Sequence, residues 1–141
     1  MVSTPGIEWT DDLKIGVPSV DTEHRRLVDI ANDLLAAAHS EAPLGDLSAI
    51  IGRLIHHTAE HFVAEEKLLD RHGYPDLARH KLEHDRLMAD ARTLHTRVLG
   101  IADQNELRQF TVEAALFFKN WLLDHIRRED KPFRPFVMRL A

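Results

Sequence analysis

Residues 46–75, DLSAIIGRLIHHTAEHFVAEEKLLDRHGYP, decide the fold, because apolar side chains recur along them every three or four residues. That period is typical of a helix with one buried face. Gly73 and Pro75 interrupt the pattern, and both residue types commonly follow the end of a helix. The stretch therefore predicts one long helix from about Asp46 to Arg71.

The same signs predict three further helices on either side of this stretch. Pro43 and Gly45 separate the first helix from the second. Asp103, followed by Glu106 three residues later, forms a carboxylate version of the capping box that begins a helix. The expected ranges are Ser19 or Asp21 to Ala38, Asp76 to Leu99, and Asp103 to about Arg128. Because short connections join the four helices and no strand pattern competes, we expect an all-α, up-down-up-down antiparallel four-helix bundle.

The segments before and after the four predicted helices lack their regular helical pattern. Residues 1–18 contain Trp9, Ile15 and Val17 among glycines and prolines, which predicts an extended arm that packs across the bundle. Residues 19–130 form the expected helical domain. The tail, residues 131–141, is too apolar to be wholly solvated, so we expect it to dock on its own bundle or to form a surface for self-association.

Composition excludes several classes of function. The 141 residues include no cysteine, which rules out disulfides, iron–sulfur ligation and thiolate zinc sites. The net charge of -5 disfavours nucleic acid or an anionic membrane as a partner. No apolar run approaches the ~20 residues that a membrane span needs, and no signal pattern stands at the N-terminus. We therefore expect a soluble, cytoplasmic monomer.

Ten histidines are the unusual feature of the chain. On a helix, side chains four residues apart lie on nearly the same face, so two of them can converge on one metal ion. His61 with Glu65 and His80 with His84 have this spacing. A single such pair on an acidic helix is more often solvated than metal-bound.

Convergence is what favours a metal site. In an up-down bundle, the start of the first helix, the end of the second, the start of the third and the end of the fourth lie at one end. His24 and the two pairs fall there. His125 and Asp130 also fall there, but they are five residues apart, an offset of about 140° on an ideal helix. A loosened last turn before Pro132 would be needed to bring the Asp130 carboxylate over the core.

The number of candidate ligands predicts two metal ions. Five imidazoles and two carboxylates exceed what one first-row ion takes, and carboxylates that bridge two ions resolve the excess. Imidazole with carboxylate suits iron, zinc, nickel or manganese, so the ligand types alone do not choose the metal. The candidates are His24, His61, Glu65, His80, His84, His125 and Asp130.

The same residues carry a family resemblance. The pattern consists of Trp9, Gly16-Val17, Val20-Asp21 before His24, His61-Phe62 with Glu65-Glu66, His80, His84, Trp121-Leu122 with His125-Ile126, and Asp130. From Trp9 to about Asp130 the chain resembles the bacterial members of the hemerythrin family. Glu23 departs from the pattern, because a glutamine is frequent at that position. Its side chain is not a ligand in the family.

The resemblance implies reversible binding of dioxygen, for oxygen carriage, storage or delivery, rather than enzymatic turnover. It implies two non-haem iron ions bridged by an oxo or hydroxo group and by Glu65 and Asp130. His80, His84 and His125 would bind one iron, and His24 and His61 the other, which keeps a vacancy for dioxygen. We expect Leu122 to shield this vacancy, with Phe62 and Trp121 as weaker candidates for the same apolar wall.

Several alternatives stay open at this point. His57 has the same spacing to His61 as His61 has to Glu65, and only the family context selects His61; His57 would then be a donor behind a ligand or a core histidine with a backbone partner. Rival functions are an oxygen- or redox-sensing module, an iron store and a zinc-stabilised bundle. A di-iron oxygenase is disfavoured because the Glu-x-x-His motif is absent. Residues expected on the solvated surface are His39, His56, His72, His95, Glu60, Glu66, Glu83 and Asp124. Any of the four carboxylates could still orient a ligand imidazole.

Overall fold

The computed structural model of the chain describes residues 6–138, and four long helices make up most of this part. Helix α1 packs against α2 and α4, and α2 packs against α3, whereas α3 and α4 approach each other less closely. Residues 6–138 contain no strand. The predicted all-α four-helix bundle is therefore confirmed. The helices are α1 (Pro18–Ser40), α2 (Leu44–Arg71), α3 (Leu77–Arg97) and α4 (Gln104–Asp124).

The start of α1 differs from the prediction. The helix begins at Pro18, a residue suited to a first turn because its missing N–H would have no partner there. Neither Ser19 nor Asp21 is the N-cap. The Asp21 carboxylate instead accepts hydrogen bonds from the backbone N–H groups of Ile15 (2.7 Å) and Gly16 (3.0 Å). It therefore fixes the arm against the helix.

The start of α4 follows the prediction and its end does not. The Asp103 side chain accepts the Glu106 N–H at 2.9 Å, and the Glu106 carboxylate accepts the Ala102 N–H at 2.7 Å. The regular helix ends at Asp124 rather than near Arg128. A π-helical turn, His125–Asp130, continues it. This turn is the loosening that the spacing of His125 and Asp130 required.

The arm and the tail both pack on the end of the bundle where α1 begins and α2 ends. Ile15 and Val17 from the arm join Val20, Leu69, Tyr74, Phe133 and Val137 in an apolar cluster separate from the main core. A 3-10 turn, Lys131–Phe133, and a short helix, α5 (Arg134–Met138), carry the tail side chains into this cluster. The tail thus docks on its own bundle. Residues 1–5 and 139–141, which belong to the predicted arm and tail, lie outside the described residues.

The division of the chain into arm, bundle and tail remains a prediction. Within residues 6–138, none of the helices combines the length and the apolar character required to cross a lipid bilayer.

Candidate metal centre

All seven predicted ligands lie together in one buried layer. Helices α1, α2 and α3 each contribute at least one of them, and the π turn that follows α4 contributes two. None of the seven residues is more than 3% exposed. Burying two carboxylates without countercharge is costly. The layer therefore needs protons or metal ions to be stable.

Local helix geometry explains how each pair reaches the layer. On α2, His61 and Glu65 are one turn apart, and their Nε2 and Oε2 atoms are 2.9 Å apart. In the π turn, hydrogen bonding from residue i to i+5 brings residues five apart onto one face. Asp130 Oδ1 consequently lies 3.2 Å from His125 Nε2.

Glu65 faces two groups of histidines, one with each carboxylate oxygen. Its Oε1 lies 2.6 Å from His80 Nε2 and 3.1 Å from His84 Nε2. Its Oε2 lies on the other side, 2.9 Å from His61 Nε2 and 3.8 Å from His24 Nε2. The carboxylate therefore stands between the two groups.

Asp130 repeats this arrangement from the opposite side of the layer. Its Oδ2 lies 2.7 Å from His24 Nε2, while its Oδ1 lies 3.3 Å from His80 Nε2. The donor atoms fall into two groups, each with all its atoms within 4.8 Å of one another. Both groups share the two carboxylates. One comprises Glu65, His80, His84, His125 and Asp130; the other comprises His24, His61, Glu65 and Asp130.

Several of these donor atoms have no hydrogen-bond partner among residues 6–138. They include the Nε2 atoms of His24, His61 and His125 and both oxygens of Asp130. Buried polar atoms in native proteins are nearly always paired. These nitrogen and oxygen atoms lie close together but do not pair with one another by hydrogen bonds. Such an arrangement fits the ligands of two metal cations of the iron or zinc type. The residues present therefore fit a two-metal centre.

The pKa values of the histidines reflect the two buried carboxylates. Burial by itself would lower the pKa of His61, but the neighbouring carboxylates of Glu23 and Glu65 outweigh it and raise this pKa to about 9. Burial is likewise outweighed at His80 and His125, where Asp130 and Glu65 raise the pKa to about 9 and about 10. Burial would raise the pKa of Glu65, and the surrounding histidines hold it well below its usual range. In the metal-free chain, protonated imidazoles thus neutralise the carboxylates.

Glutamates stand behind three of the five imidazoles. Glu66 Oε2 lies 2.7 Å from His84 Nδ1, so of the two alternatives for Glu66 the structure favours a partner of an imidazole over a solvated surface group. Glu23 Oε1 lies 3.3 Å from His61 Nδ1. Glu129 lies 3.9 Å from His80 Nδ1 and 2.9 Å from Arg79. The spacing of residues along the helices does not indicate this role for Glu23 or Glu129. Such partners orient ligand imidazoles in metalloproteins.

Of the three residues predicted to form the oxygen pocket, two contact imidazoles of the layer and the third is buried in the main core. Leu122 is 1% exposed and belongs to the main core. Phe62 stacks on the His84 ring, with centroids 3.7 Å apart. Trp121 is half-buried and nearly parallel to the His125 ring at 5.7 Å. Their contact with oxygen stays a prediction.

The remaining histidines lie outside the layer. His57 is half-buried beside Glu23 and Glu60, and its ring has no hydrogen bond in the described part of the chain, so it is not the predicted core histidine with a backbone partner. His72 Nδ1 lies 2.8 Å from the Leu68 carbonyl oxygen and His95 Nε2 lies 3.3 Å from Ser48 Oγ, so neither is purely solvated. His39 and His56 are exposed, as expected.

Comparison with known proteins gives one consistent result. The family profile described as "Hemerythrin HHE cation binding domain" matches residues 16–137. The chain is 32% identical over 131 residues to a bacteriohemerythrin from Methylococcus capsulatus, covering 90% of this chain and 93% of that protein. It is 31% identical over 127 residues to a bacteriohemerythrin from Stenotrophomonas maltophilia, covering 89% of this chain and 77% of that protein. A wild-type hemerythrin crystal structure superposes with a TM-score of 0.79 at 26% identity, covering 93% of this chain and 97% of that one.

Proposed function

The chain belongs to the hemerythrin family, and we propose that it binds dioxygen reversibly at a non-haem di-iron centre, for oxygen carriage, storage or delivery. The observation that supports this proposal most strongly is the sharing of Glu65 and Asp130 between two groups of histidines. A carboxylate shared in this way is suited to bridging two ions. The cytoplasmic location and monomeric state expected from the sequence stay predictions.

The proposed ligands divide unequally between the two irons. His80, His84 and His125 would hold one ion, His24 and His61 would hold the other, and Glu65 and Asp130 would contribute a carboxylate oxygen to each. Two ferrous ions in these positions would supply the electrons for reversible binding of dioxygen. The group with two histidines has fewer protein donors and is therefore the proposed oxygen-binding side.

The side chains around the layer would exclude water from the centre and orient its imidazoles. Leu122 and Phe62 are both buried, at 1% and 3% exposure. Glu23 and Glu66 accept hydrogen bonds from the Nδ1 atoms of His61 and His84 and would keep their Nε2 atoms directed into the layer. A buried site with Leu122 and Phe62 close to its imidazoles would favour binding and release over turnover of organic substrates.

Metal analysis combined with optical spectroscopy tests the proposal. We expect about two irons per chain and a visible absorption band that appears in air and disappears on deoxygenation over repeated cycles. Zinc-loaded protein is the matched control, because it uses the same ligands without redox chemistry and should develop no such band. Iron-loaded protein that fails to respond to oxygen would favour iron storage. Sustained oxidation of an organic substrate with a reductant would favour an enzyme.

A further inference from the structure

One buried hydroxyl group inside the bundle has no hydrogen-bond partner within residues 6–138. It is Oγ1 of Thr58, a residue of α2 that is 3% exposed. A threonine inside a helix can donate to the backbone carbonyl four residues earlier. Thr22, Thr96 and Thr111 do so, at 2.9, 2.9 and 2.7 Å. The Thr58 hydroxyl makes no such bond and is therefore available to a partner in the interior.

Thr58 occupies the turn of α2 that adjoins the metal layer on the side of the main core. It stands three residues before His61 and seven before Glu65, so the three side chains share one face of the helix. All three are buried. Side chains on a helix lean towards its N-terminus, which directs the His61 imidazole towards the turn that contains Thr58. The unpaired hydroxyl thus borders the group that has two histidines.

The other three helices present apolar side chains at this level. Because α2 and α4 run in the same direction, Leu122, three residues before His125, lies at the level of Thr58. On α1 and α3, which run in the opposite direction, Leu27 and Met88 follow the ligands by about one turn. These three residues are 1%, 1% and 7% exposed. Among these four side chains, one from each helix, only Thr58 offers a hydrogen-bond donor.

An unpaired polar atom in the interior points to a partner outside the polypeptide chain, because buried polar groups in native proteins are nearly always paired. We propose that Thr58 donates a hydrogen bond to a small ligand bound at the two-histidine side of the layer. It would select linear ligands that have an acceptor atom at the end remote from the metal, such as dioxygen or a small inorganic anion. This inference rests on the proposed function, because it requires a vacancy for a ligand at that side.

Optical titration of the iron-loaded, oxidised chain with azide tests the proposal. Azide is a linear anion that can coordinate ferric iron through one terminal nitrogen and accept a hydrogen bond at the other. Thr58→Val preserves the volume of the side chain and removes the donor. Loss of a hydrogen bond to a charged ligand should weaken azide binding at least about tenfold. Thr58→Ser retains the hydroxyl and should restore most of the affinity.

Thr111→Val is the matched control. Thr111 is 4% exposed, and it lies about 20 Å from His125 along α4, so its substitution should leave azide binding unchanged. The melting temperature of the metal-free chain gives a second readout that needs no iron. Thr111→Val should lower it, because the hydrogen bond to the Leu107 carbonyl oxygen is lost. Thr58→Val should not lower it, because no hydrogen bond within the chain is lost.

The outcomes that overturn the proposal are specific. Thr58→Val protein that binds azide as tightly as the unaltered chain would assign the hydroxyl to a buried water instead. A melting temperature lowered as much by Thr58→Val as by Thr111→Val would show that the hydroxyl has a partner within the protein. An unaltered, two-iron chain that binds no azide would contradict the vacancy itself, and thus both this inference and the proposed function. Circular dichroism and iron content establish that each variant is folded and loaded before titration.

Discussion

The Asp130 carboxylate lies 3.2 Å from His125 Nε2 because the two residues close a π-helical turn. An α-helical turn would direct the two side chains to different faces. The π turn places an acidic group beside a proposed ligand histidine without a further helix. The position of Asp130 is thus determined by the backbone of this one turn.

Replacing Asp130 with Asn should reduce the iron content from about two per chain to one or fewer. The change preserves size but removes the negative charge proposed to bridge both ions. Asp124→Asn is the matched control, because Asp124 ends α4 just before the same turn and its side chain is 70% exposed. Elemental analysis of both purified variants measures the effect. Two irons in Asp130→Asn would contradict a bridging role.

Substitutions on α2 distinguish the two candidate histidines. His61→Ala should lose at least one iron, because it removes a donor from the group that has only two histidines. His57→Ala should keep about two irons, since His57 lies outside both donor groups. If His57→Ala proved the more damaging, the proposed ligand assignment on α2 would be wrong.

Leu122→Ala should accelerate autoxidation of the oxygen-bound protein. The substitution leaves a cavity in the core and should cost about 2–5 kcal/mol in the free energy of unfolding while leaving all seven proposed ligands in place. Water that enters there reaches the oxygen-binding side. Leu34→Ala is the control, because Leu34 is 0% exposed in the core and is not part of the proposed pocket. Decay of the visible band is compared at equal iron content, and equal decay in both variants would exclude a shielding role for Leu122.

The metal-free chain should lose stability as the pH rises from about 6.5 to about 9–10. Folding raises the pKa of His61 and His80 from 6.5 to about 9 and that of His125 to about 10. The folded state therefore binds more protons than the unfolded state in this range, and the stabilisation is complete only below about pH 6.5.

Thermal unfolding at a series of pH values measures this effect. The zinc-loaded chain is the control, because a metal ion on Nε2 replaces the proton and should remove most of the decline. A metal-free chain whose melting temperature stayed constant or rose between pH 6.5 and 9 would contradict the prediction.

The spacing of residues along the helices predicted the bundle. It also predicted that the seven residues that are buried in the layer would meet at one end of it. It could do so because a helix fixes which side chains share a face. Glu23 and Glu129 were not selected, since their contact with His61 and His80 depends on side-chain rotamers and on the distance between helices. The sequence required a loosened turn at Asp130, but its π form depends on hydrogen bonding that residue types alone do not specify.

The metal layer joins all four helices at one end of the bundle. At the opposite end lies the α3–α4 connection, where Leu99 is 87% exposed. Metal ions bound in the layer would act as a four-way cross-link at one end only. Amide hydrogens near residues 98–103 should consequently exchange through frequent local opening, whereas those flanking His61 and His84 should exchange only when the whole chain unfolds. Removal of the metal should abolish much of this gradient in protection along the bundle axis.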